Sequence, residues 1–364
     1  MLSGSSSSRR VLVLYVGGTI GMKKNAKGSL EPCPNYLTQE MNNMQELKPS
    51  ASSAVAQFEV KEYETLLDSS DMNHRDHLRI ANDVAKHYEA YDGFLIAHGT
   101  DTMHYTATAL SFLLFNLAKP VIVTGAMVPL AEPFNDARRN LILSLMIASN
   151  PSICEVCVFF NDSLFRGNRC NKVRHNYAAF ESTNYPALGV MEGSQFVLRE
   201  RLLLPQPTGA MQVCSRLDGK VACLHVVPDN ELPTILPAIL KEGTLEGLVL
   251  VVPGVGKLHG ALAETLRPIA AFASQQKVVV ALVVQDLRGT LQPSEEARLR
   301  RTLGDTVVYV GDMTPTSAEV KLSYLIGKRR PDGRCALSYE KIRSTMTSNL
   351  RGELTPSGGP MPSL

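Results

Sequence analysis

The feature that most constrains the fold is a set of short apolar runs separated by segments with helical spacing. Val11–Val16 and Gly93–Ala97 are apolar almost throughout, and "KPVIVTG" and Glu155–Phe160 repeat the pattern. His74–Tyr88, which lies between the first two runs, carries Leu78, Ala81, Val84 and Ala85 on one helical face. Strands that are apolar on both faces are typical of a parallel sheet covered by helices on both sides. The N-terminal part is therefore predicted to be α/β.

Other segments of this part fit the same architecture. Thr102–Leu117 and Asp136–Ala148 are predicted helices, and the loose alternation of Ala54–Tyr63 indicates a strand. Lys23–Ser53 is polar, irregular and rich in proline, so it is predicted to be a long loop. A loop of that length in a compact protein is usually functional or mobile.

The alternation of strands and helices breaks near Arg199 and resumes near Val221, which indicates a second domain. The stretch between them contains Pro205, Pro207, Gly209 and Gly219, residues typical of a connection. The predicted later strands are Val221–Val227, Leu248–Val252, Val278–Val284 and Val307–Val310, and the predicted later helices are Pro233–Lys241, Ala261–Ala273, Glu295–Leu303, Ala318–Ile326 and Ser338–Ser348.

The length of 364 residues also fits two domains better than one core. We expect two α/β domains, each a mainly parallel sheet flanked by helices, the N-terminal one larger. The expected boundaries are residues 1–200, a linker 201–219, a C-terminal domain 220–350 and a flexible tail 351–364.

Composition excludes several classes of protein. A formal net charge of +2 offers no electrostatic reason to bind nucleic acid or an anionic membrane. No apolar run approaches the roughly 20 residues that span a bilayer, and "MLSGSSSSRR" is too polar for a secretory signal, so we expect a cytoplasmic protein. The seven cysteines form no disulfide framework. Cys154 and Cys157 lie in a predicted strand at an odd separation, on opposite faces, so no metal site is expected.

Polar residues follow three of the predicted strands, and ligands of open parallel sheets bind outside the carboxyl ends of strands. The three segments are "GGTIG" at Gly17–Gly21, "HGTDT" at His98–Thr102, and Thr124-Gly125. The first segment is compatible with a plain tight turn. It fits neither the dinucleotide fingerprint nor the P-loop, because both need a different glycine spacing.

The Thr100-Asp101 pair immediately precedes the predicted helix Thr102–Leu117, and one of the two is expected to cap it. A capping box needs Glu or Gln three residues later, whereas Met103 and His104 stand there. The free amides of a helix N-terminus favour anions, and a carboxylate beside them can hold the ammonium group of a ligand. His98 is assigned no leading role, because a single histidine at a strand end is more often a hydrogen-bonded core residue, and His104 is assigned none either.

Together these motifs resemble the L-asparaginase family, and most of all its cytoplasmic type I branch. The resemblance rests on "VLYVGGTIGM", "LLDSSDM", "GFLIAHGTDTMHYTATALSFLL", "KPVIVTGAMVP", "NDARRNLILSLMIAS", "VCVFFNDSLFRGNRCNKV", "AFESTNYPALG" and "GDMTPTSAEVKLSYLIG". It extends from about Val11 to Thr355. GGTIG and HGTDT in this order, about 80 residues apart, are specific as a pair, whereas either one alone is weak.

The resemblance implies hydrolysis of L-asparagine to L-aspartate and ammonia through an acyl-enzyme on Thr19. It implies that Thr100, Asp101 and Lys172 form a second catalytic triad, and that Asp101 also holds the substrate ammonium. We expect the backbone amides near Gly18-Thr19 and Thr100 to stabilise an oxyanion. The resemblance further implies that the substrate's α-carboxylate and α-amino group are bound by a loop consisting of Asp68, Ser69 and Ser70. It implies a homodimer or homotetramer, and neither a cofactor nor a metal.

The sequence departs from the family pattern at three places. Where many relatives have a tyrosine after the first threonine, this chain has Ser29, with Tyr36 the closest aromatic residue. Glu295 stands where a tyrosine of the C-terminal domain could substitute for it, and Lys257 follows "PGVG" where relatives carry asparagine. Tyr36, Glu295 and Lys257 are therefore further candidates for substrate binding. These departures leave affinity, turnover, the preference between asparagine and glutamine, and an allosteric asparagine site open.

Two alternative functions also fit the sequence. One is a glutaminase or amidotransferase-type amidohydrolase, which shares the two threonines. The other is a catalytically weak regulatory protein that binds an amino acid.

Overall fold

A computed structural model describes residues 9–48, 55–217, 220–227, 235, 236, 240, 245–254, 261–285, 293–329, 331 and 335–356. The chain divides into two compact units. The first comprises Met1–Ser182 and Pro186–Cys214, and the second comprises Thr183–Tyr185 and Ser215–Leu364. Within the described ranges, none of the helices has both the length and the apolar character needed to cross a membrane.

The helices and strands are numbered here in chain order. The helices are α1 Tyr36–Asn43, α2 His74–His87, α3 Met103–Leu113, α4 Ala137–Ile147, α5 Ala261–Gln275, α6 Pro293–Leu303, α7 Pro315–Ile326 and α8 Tyr339–Met346. The strands are β1 Arg10–Gly17, β2 Met22–Lys24, β3 Leu30–Pro32, β4 Gln57–Leu67, β5 Gly93–Ala97, β6 Leu114–Phe115, β7 Val121–Thr124, β8 Val156–Phe160, β9 Ser163–Arg166, β10 Asn171–Lys172, β11 Phe180–Glu181, β12 Gly189–Glu192, β13 Gln195–Leu198, β14 Gln212–Val213, β15 Val221–His225, β16 Gly247–Val252, β17 Val279–Val284 and β18 Val307–Tyr309.

The first unit is built on an eight-stranded sheet in the order β13-β12-β9-β8-β7-β5-β1-β4. The five strands from β8 to β4 pair in parallel, while β9, β12 and β13 extend the sheet by antiparallel pairing. All residues of β5, β7 and β8 are buried, as their apolar runs predict. The prediction of a mainly parallel sheet is confirmed, and β1, β5 and β7 end side by side at one edge.

The second unit contains a four-stranded parallel sheet in the order β15-β16-β17-β18. Every residue of β16 and β17 is buried, and these strands form a core with the apolar faces of α5 and α6. Leu250 and Leu282 are partners in the register between the two strands. This confirms the second parallel sheet expected from the sequence. Most of the predicted helix Pro233–Lys241 lies outside the described residues.

The polar segment Lys23–Ser53 contains regular structure, which corrects the prediction of a loop. Its first part is the hairpin of β2 and β3, whose turn uses Gly28 at φ +83°. Its second part is α1, which buries Leu37 and Met41, one helical turn apart. Two apolar residues are too few to stand out in a polar sequence, although their spacing is helical.

The helix after HGTDT is shorter than the predicted Thr102–Leu117. It ends at Leu113, and the chain then forms β6, which pairs with β14 in the stretch predicted as a linker. Asn116 has φ +54°, a left-handed conformation that continues neither helix nor strand. Leu114 and Leu117 are buried outside the helix, whereas Phe115 is 39% exposed, so the apolar residues of this stretch do not indicate helix.

The first residues of the predicted tail 351–364 are packed, which corrects that expectation for this part. Gly352, Glu353 and Leu354 are buried. Glu353 is paired with Lys321 of α7, and both side chains are 0% exposed. Residues 357–364 lie outside the described part of the chain.

Candidate functional site

The turn after β1 brings the backbone of Gly18 against the backbone of Gly99. Gly18 has φ +93°, and a Cβ atom on it would lie 2.3 Å from the Cα and N atoms of Gly99. Only glycine fits both the conformation and the contact. Thr19 and Thr100 each follow one of these glycines, and consecutive Cα atoms are about 3.8 Å apart. The two predicted catalytic threonines therefore belong to adjoining loops at the same edge of the sheet.

A third loop, the one after β4, completes this edge. A Cβ atom on Gly99 would lie 2.7 Å from the Ser69 Oγ atom, so the loop with Ser69 packs directly against HGTDT. Asp68 accepts a hydrogen bond from the Ser70 backbone N–H at 2.8 Å and begins a short 3-10 helix. The hydroxyl of Ser70 lies 3.5 Å from the Asp101 carboxylate. The structure thus brings Asp68, Ser69 and Ser70 beside Thr100 and Asp101.

Lys172 lies in β10 and reaches the same place. Its Nζ atom donates to the Thr100 hydroxyl at 2.9 Å and to the Asp101 carboxylate at 2.6 Å. The side chain of Lys172 is 13% exposed and that of Asp101 is 60% exposed, so the pair faces outward through its carboxylate. The hydrogen bond from Lys172 lowers the pKa of Asp101 below its usual range, although partial burial acts in the opposite direction. A hydroxyl, an ammonium and a carboxylate therefore form one continuous hydrogen-bonded chain.

Neither Thr100 nor Asp101 caps α3, which corrects the prediction that one of them does. The N-cap position is Thr102, and its hydroxyl makes no capping bond. Instead it donates to the Ser69 carbonyl oxygen at 2.6 Å and so ties the two loops together. Asp101 is engaged by Lys172. This contact of Thr102 was not predicted, because nothing in a sequence distinguishes a third hydroxyl at a helix start from an ordinary cap.

Two backbone donors at this edge are not used by the fold. Among the described residues, no hydrogen-bond acceptor is paired with the backbone N–H of Thr19 or of Thr100. Thr100 is only 7% exposed, so its amide has little contact with bulk water. Buried backbone N–H groups are almost always paired with a partner. Unpaired donors at the carboxyl ends of two neighbouring strands are suited to binding an anion or an oxyanion.

The structure says less about the remaining candidates for substrate binding. Tyr36 begins α1, which packs its Leu37 against Gly21 of the turn after β1, and the Lys23 ammonium lies 4.6 Å from the centre of the Tyr36 ring. Ser29 is exposed in the β2–β3 hairpin. Lys257 lies outside the described residues, as does the side chain of Glu295.

The chain is similar along nearly its full length to known proteins. A family model described as "Asparaginase, N-terminal" matches residues 10–203, and one described as "Glutaminase/Asparaginase C-terminal domain" matches residues 220–335. L-asparaginase 1 of Escherichia coli (strain K12) is 36% identical over 96% of this chain and 98% of its own length.

Solved structures show the same similarity. The crystal structure of L-asparaginase I from Vibrio cholerae has a TM-score of 0.83 at 34% identity and covers 96% of this chain and 100% of the other. The thermostable L-asparaginase from Thermococcus kodakarensis has a TM-score of 0.80 at 30% identity, with the same coverage.

Proposed function

The chain belongs to the asparaginase family, and we propose that it hydrolyses the side-chain amide of L-asparagine through a covalent intermediate on Thr19. The observation that carries this proposal is the hydrogen-bonded chain of Thr100, Lys172 and Asp101 beside the contact between Gly18 and Gly99. That contact holds the loop of Thr19 next to the loop that begins the proton-handling chain. No cofactor is needed for the reaction.

The first step is acylation. The Thr19 hydroxyl gives up its proton while its oxygen attacks the amide carbon of the substrate, the C–N bond breaks, and the nitrogen takes up one proton in exchange and leaves as ammonia. A threonine hydroxyl is a weak nucleophile at neutral pH and needs a neighbouring group that accepts its proton. The unpaired amides of Thr19 and Thr100 support this step, because they are placed to stabilise the negative charge on the carbonyl oxygen.

The second step is hydrolysis of the ester. A water molecule gives up a proton and attacks the acyl carbon, the bond to the Thr19 oxygen breaks, that oxygen takes up a proton to restore the hydroxyl, and L-aspartate leaves. We assign proton handling to Thr100, Lys172 and Asp101, because the Lys172 ammonium contacts both the hydroxyl and the carboxylate.

Substrate recognition is assigned to the loop after β4 together with Asp101. The exposed Asp101 carboxylate is suited to the α-ammonium group of the substrate, and the hydroxyl of Ser70 lies next to it. Asp68, Ser69 and the amide of Gly18 complete the proposed binding set. We further propose that the protein is cytoplasmic and acts as a homodimer or homotetramer.

The test is ammonia release from L-asparagine and from L-glutamine by the native chain and by Thr19→Ala. We expect native activity on asparagine and a fall in kcat of at least about 1,000-fold in the variant, because the nucleophile is lost. Thr19→Ser, which keeps a hydroxyl, should lie within about tenfold of the native chain. Thr65→Ala is the matched control, since Thr65 is exposed in β4 of the same unit.

Three results would contradict the proposal. Unchanged activity of Thr19→Ala would exclude Thr19 as the nucleophile. A native preference for glutamine would favour the glutaminase or amidotransferase class. Binding of asparagine without turnover would favour a regulatory protein that binds an amino acid.

A further inference from the structure

His98 is the first residue of the HGTDT segment and is completely buried. It follows the last residue of β5, its side chain is 0% exposed, and its backbone N–H donates to the Thr124 carbonyl oxygen at 2.9 Å. Its ring connects the HGTDT loop to the body of α3. The Nδ1 atom lies 2.6 Å from the Gly99 carbonyl oxygen, and the Nε2 atom lies 2.8 Å from the Thr106 hydroxyl.

These two contacts define the tautomer of the ring. A carbonyl oxygen only accepts hydrogen bonds, so Nδ1 must carry the proton that it donates to Gly99. Burial lowers the pKa of His98 to about 4, and the ring is therefore neutral at neutral pH. A neutral ring has one proton, so Nε2 is an acceptor and the Thr106 hydroxyl donates to it. Thr106 thereby keeps the proton on Nδ1, where Gly99 needs it.

The bond to Gly99 determines the direction of the next peptide group. In a planar trans peptide the C=O and N–H bonds point in opposite directions. The Gly99 carbonyl points at His98, so the Thr100 N–H points away from the ring. Gly99 has no Cβ atom, and glycine allows rotations of its peptide group that other residues resist. Without the bond to His98, this peptide group could turn and direct its carbonyl oxygen where the N–H now points.

We propose that His98 is a positioning residue that holds the Gly99–Thr100 peptide with the Thr100 N–H directed at the carbonyl oxygen of the substrate amide. This inference rests on the proposed function. It accounts for two features of the site that are otherwise unconnected, the buried histidine bonded at both nitrogens and the Thr100 N–H that has no acceptor among the described residues. His98 touches neither substrate nor nucleophile and acts through the backbone of Thr100.

The experiment compares kcat and KM for ammonia release from L-asparagine in three variants. His98→Leu removes both hydrogen bonds and should lower kcat by about 10- to 100-fold with KM within about threefold, because an oxyanion donor acts mainly in the transition state. His98→Asn places an amide N–H close to the position of Nδ1 and should recover most of kcat. Thr106→Val leaves the His98 ring without its donor at Nε2. Its kcat should lie between those of His98→Leu and His98→Asn.

His77→Leu is the matched control. His77 is another largely buried histidine of the same unit, burial lowers its pKa to about 4, and its Nε2 atom has no hydrogen-bond partner in the described part of the chain. We expect its kcat to stay within about twofold of the native value. Thermal unfolding of every variant shows whether a loss of activity reflects a loss of fold.

The possible outcomes separate this inference from the proposed function. A folded His98→Leu variant with native kcat, or a His98→Asn variant as slow as His98→Leu, overturns the inference while the proposed function stands. If His98→Leu does not fold, a Thr106→Val variant with native kcat overturns the inference instead. A native chain that releases no ammonia from asparagine overturns both.

Discussion

At the scale of single residues, the site depends on glycines as much as on reactive side chains. Gly17 and Gly18 have φ values of +136° and +93°, and Gly18 touches the backbone of Gly99. This contact places the two threonine loops together with no side chain between them. A mutation at Gly18 therefore changes the spacing of the site without removing a reactive group.

Gly18→Ala tests this contact. The added methyl group would meet the backbone of Gly99 and His98, so we expect a loss of at least about 2 kcal/mol in the free energy of unfolding and a large fall in kcat. Gly28→Ala is the control, because Gly28 has a similar φ of +83° with nothing within 4 Å. Gly28→Ala should lose only about 1–2 kcal/mol in the free energy of unfolding, which is the cost of a left-handed conformation for alanine, and it should keep its activity. Equal effects of the two changes would show that the contact does not matter.

Lys172→Met tests the electrostatic link to Asp101. With Lys172 present, the pKa of Asp101 lies below its usual range, so the carboxylate stays ionised in acid and the ion pair is lost only as the pH falls through that lowered pKa. Without Lys172 the pKa should rise toward, or above, the ordinary value of about 3.9. NMR titration of the Asp101 carboxyl carbon measures the change.

Lys24→Met is the control for this titration. It removes a lysine from another ion pair of the same unit, with Glu132 at 2.7 Å, and should leave the Asp101 titration where it is. An unchanged pKa of Asp101 in Lys172→Met would mean that the pair does not exist in solution. In the ammonia assay, Lys172→Met should show a fall in kcat of about 100-fold or more, because the variant breaks the proposed proton-handling chain of Thr100, Lys172 and Asp101.

At the scale of elements, a fully buried ion pair connects α7 to the turn that contains Leu350 and Glu353. Lys321 Nζ lies 2.6 Å from the Glu353 carboxylate and donates to the carbonyl oxygens of Met346 and Ser348. Glu353 also accepts from the backbone N–H groups of Leu350 and Arg351. Burial lowers the pKa of Lys321, while the charge of Glu353 opposes that shift. Every polar atom of this pair that needs a partner therefore has one within the same unit.

Lys321→Met should destabilise the protein by about 3–5 kcal/mol, because it leaves a buried carboxylate without its cation. The double change Lys321→Met with Glu353→Gln should be less harmful than Lys321→Met alone, since the unpaired charge is gone. Glu264→Gln is the control, because it breaks an exposed pair with Arg267 and should cost less than about 1 kcal/mol. Urea denaturation measures all three. A cost for Lys321→Met as small as that of Glu264→Gln would show that the buried pair is not ionised.

At the scale of the whole molecule, the chain forms two units whose boundary is not a single point in the sequence. Thr183–Tyr185 belongs to the second unit, although the residues on both sides of it belong to the first. Asn184 donates to the Asp312 carbonyl oxygen within the second unit. The predicted division at residues 200 and 220 stays a prediction, and it could not include this short exchange, because three polar residues carry no periodic signal.

We expect the protein to assemble as a homodimer or homotetramer. The expectation rests on its membership of the asparaginase family and agrees with a net charge of +2, which opposes self-association only weakly. Light scattering coupled to gel filtration should give two or four times the mass of one chain at micromolar concentration. A single-chain mass at that concentration would contradict the expectation.

The class of the fold, and the sheet edge at which the candidate site is proposed, could be predicted from the sequence. Apolar runs such as Gly93–Ala97 report burial on both faces, and GGTIG and HGTDT follow such runs directly. These signals are local, because the period of a strand or helix and the residue after it are visible within a short window. Prediction from such short windows misses weakly apolar elements. Leu37 and Met41 are too weak a signal to reveal α1.

Packing in three dimensions sets most of the contacts between distant residues. The family resemblance implied that Lys172 meets Thr100, and the structure shows this contact across 72 positions of the chain. The bond from Thr102 to Ser69 was not expected, since the cap had been expected at Thr100 or Asp101. Lys321 pairs with Glu353 in what had been predicted to be tail. The bond between Thr102 and Ser69 joins the loops after β5 and β4, while the pair of Lys321 and Glu353 joins α7 to the turn after α8. Hydrogen bonds need donor and acceptor within about 3 Å of each other, and that distance is set by packing among segments far apart in sequence.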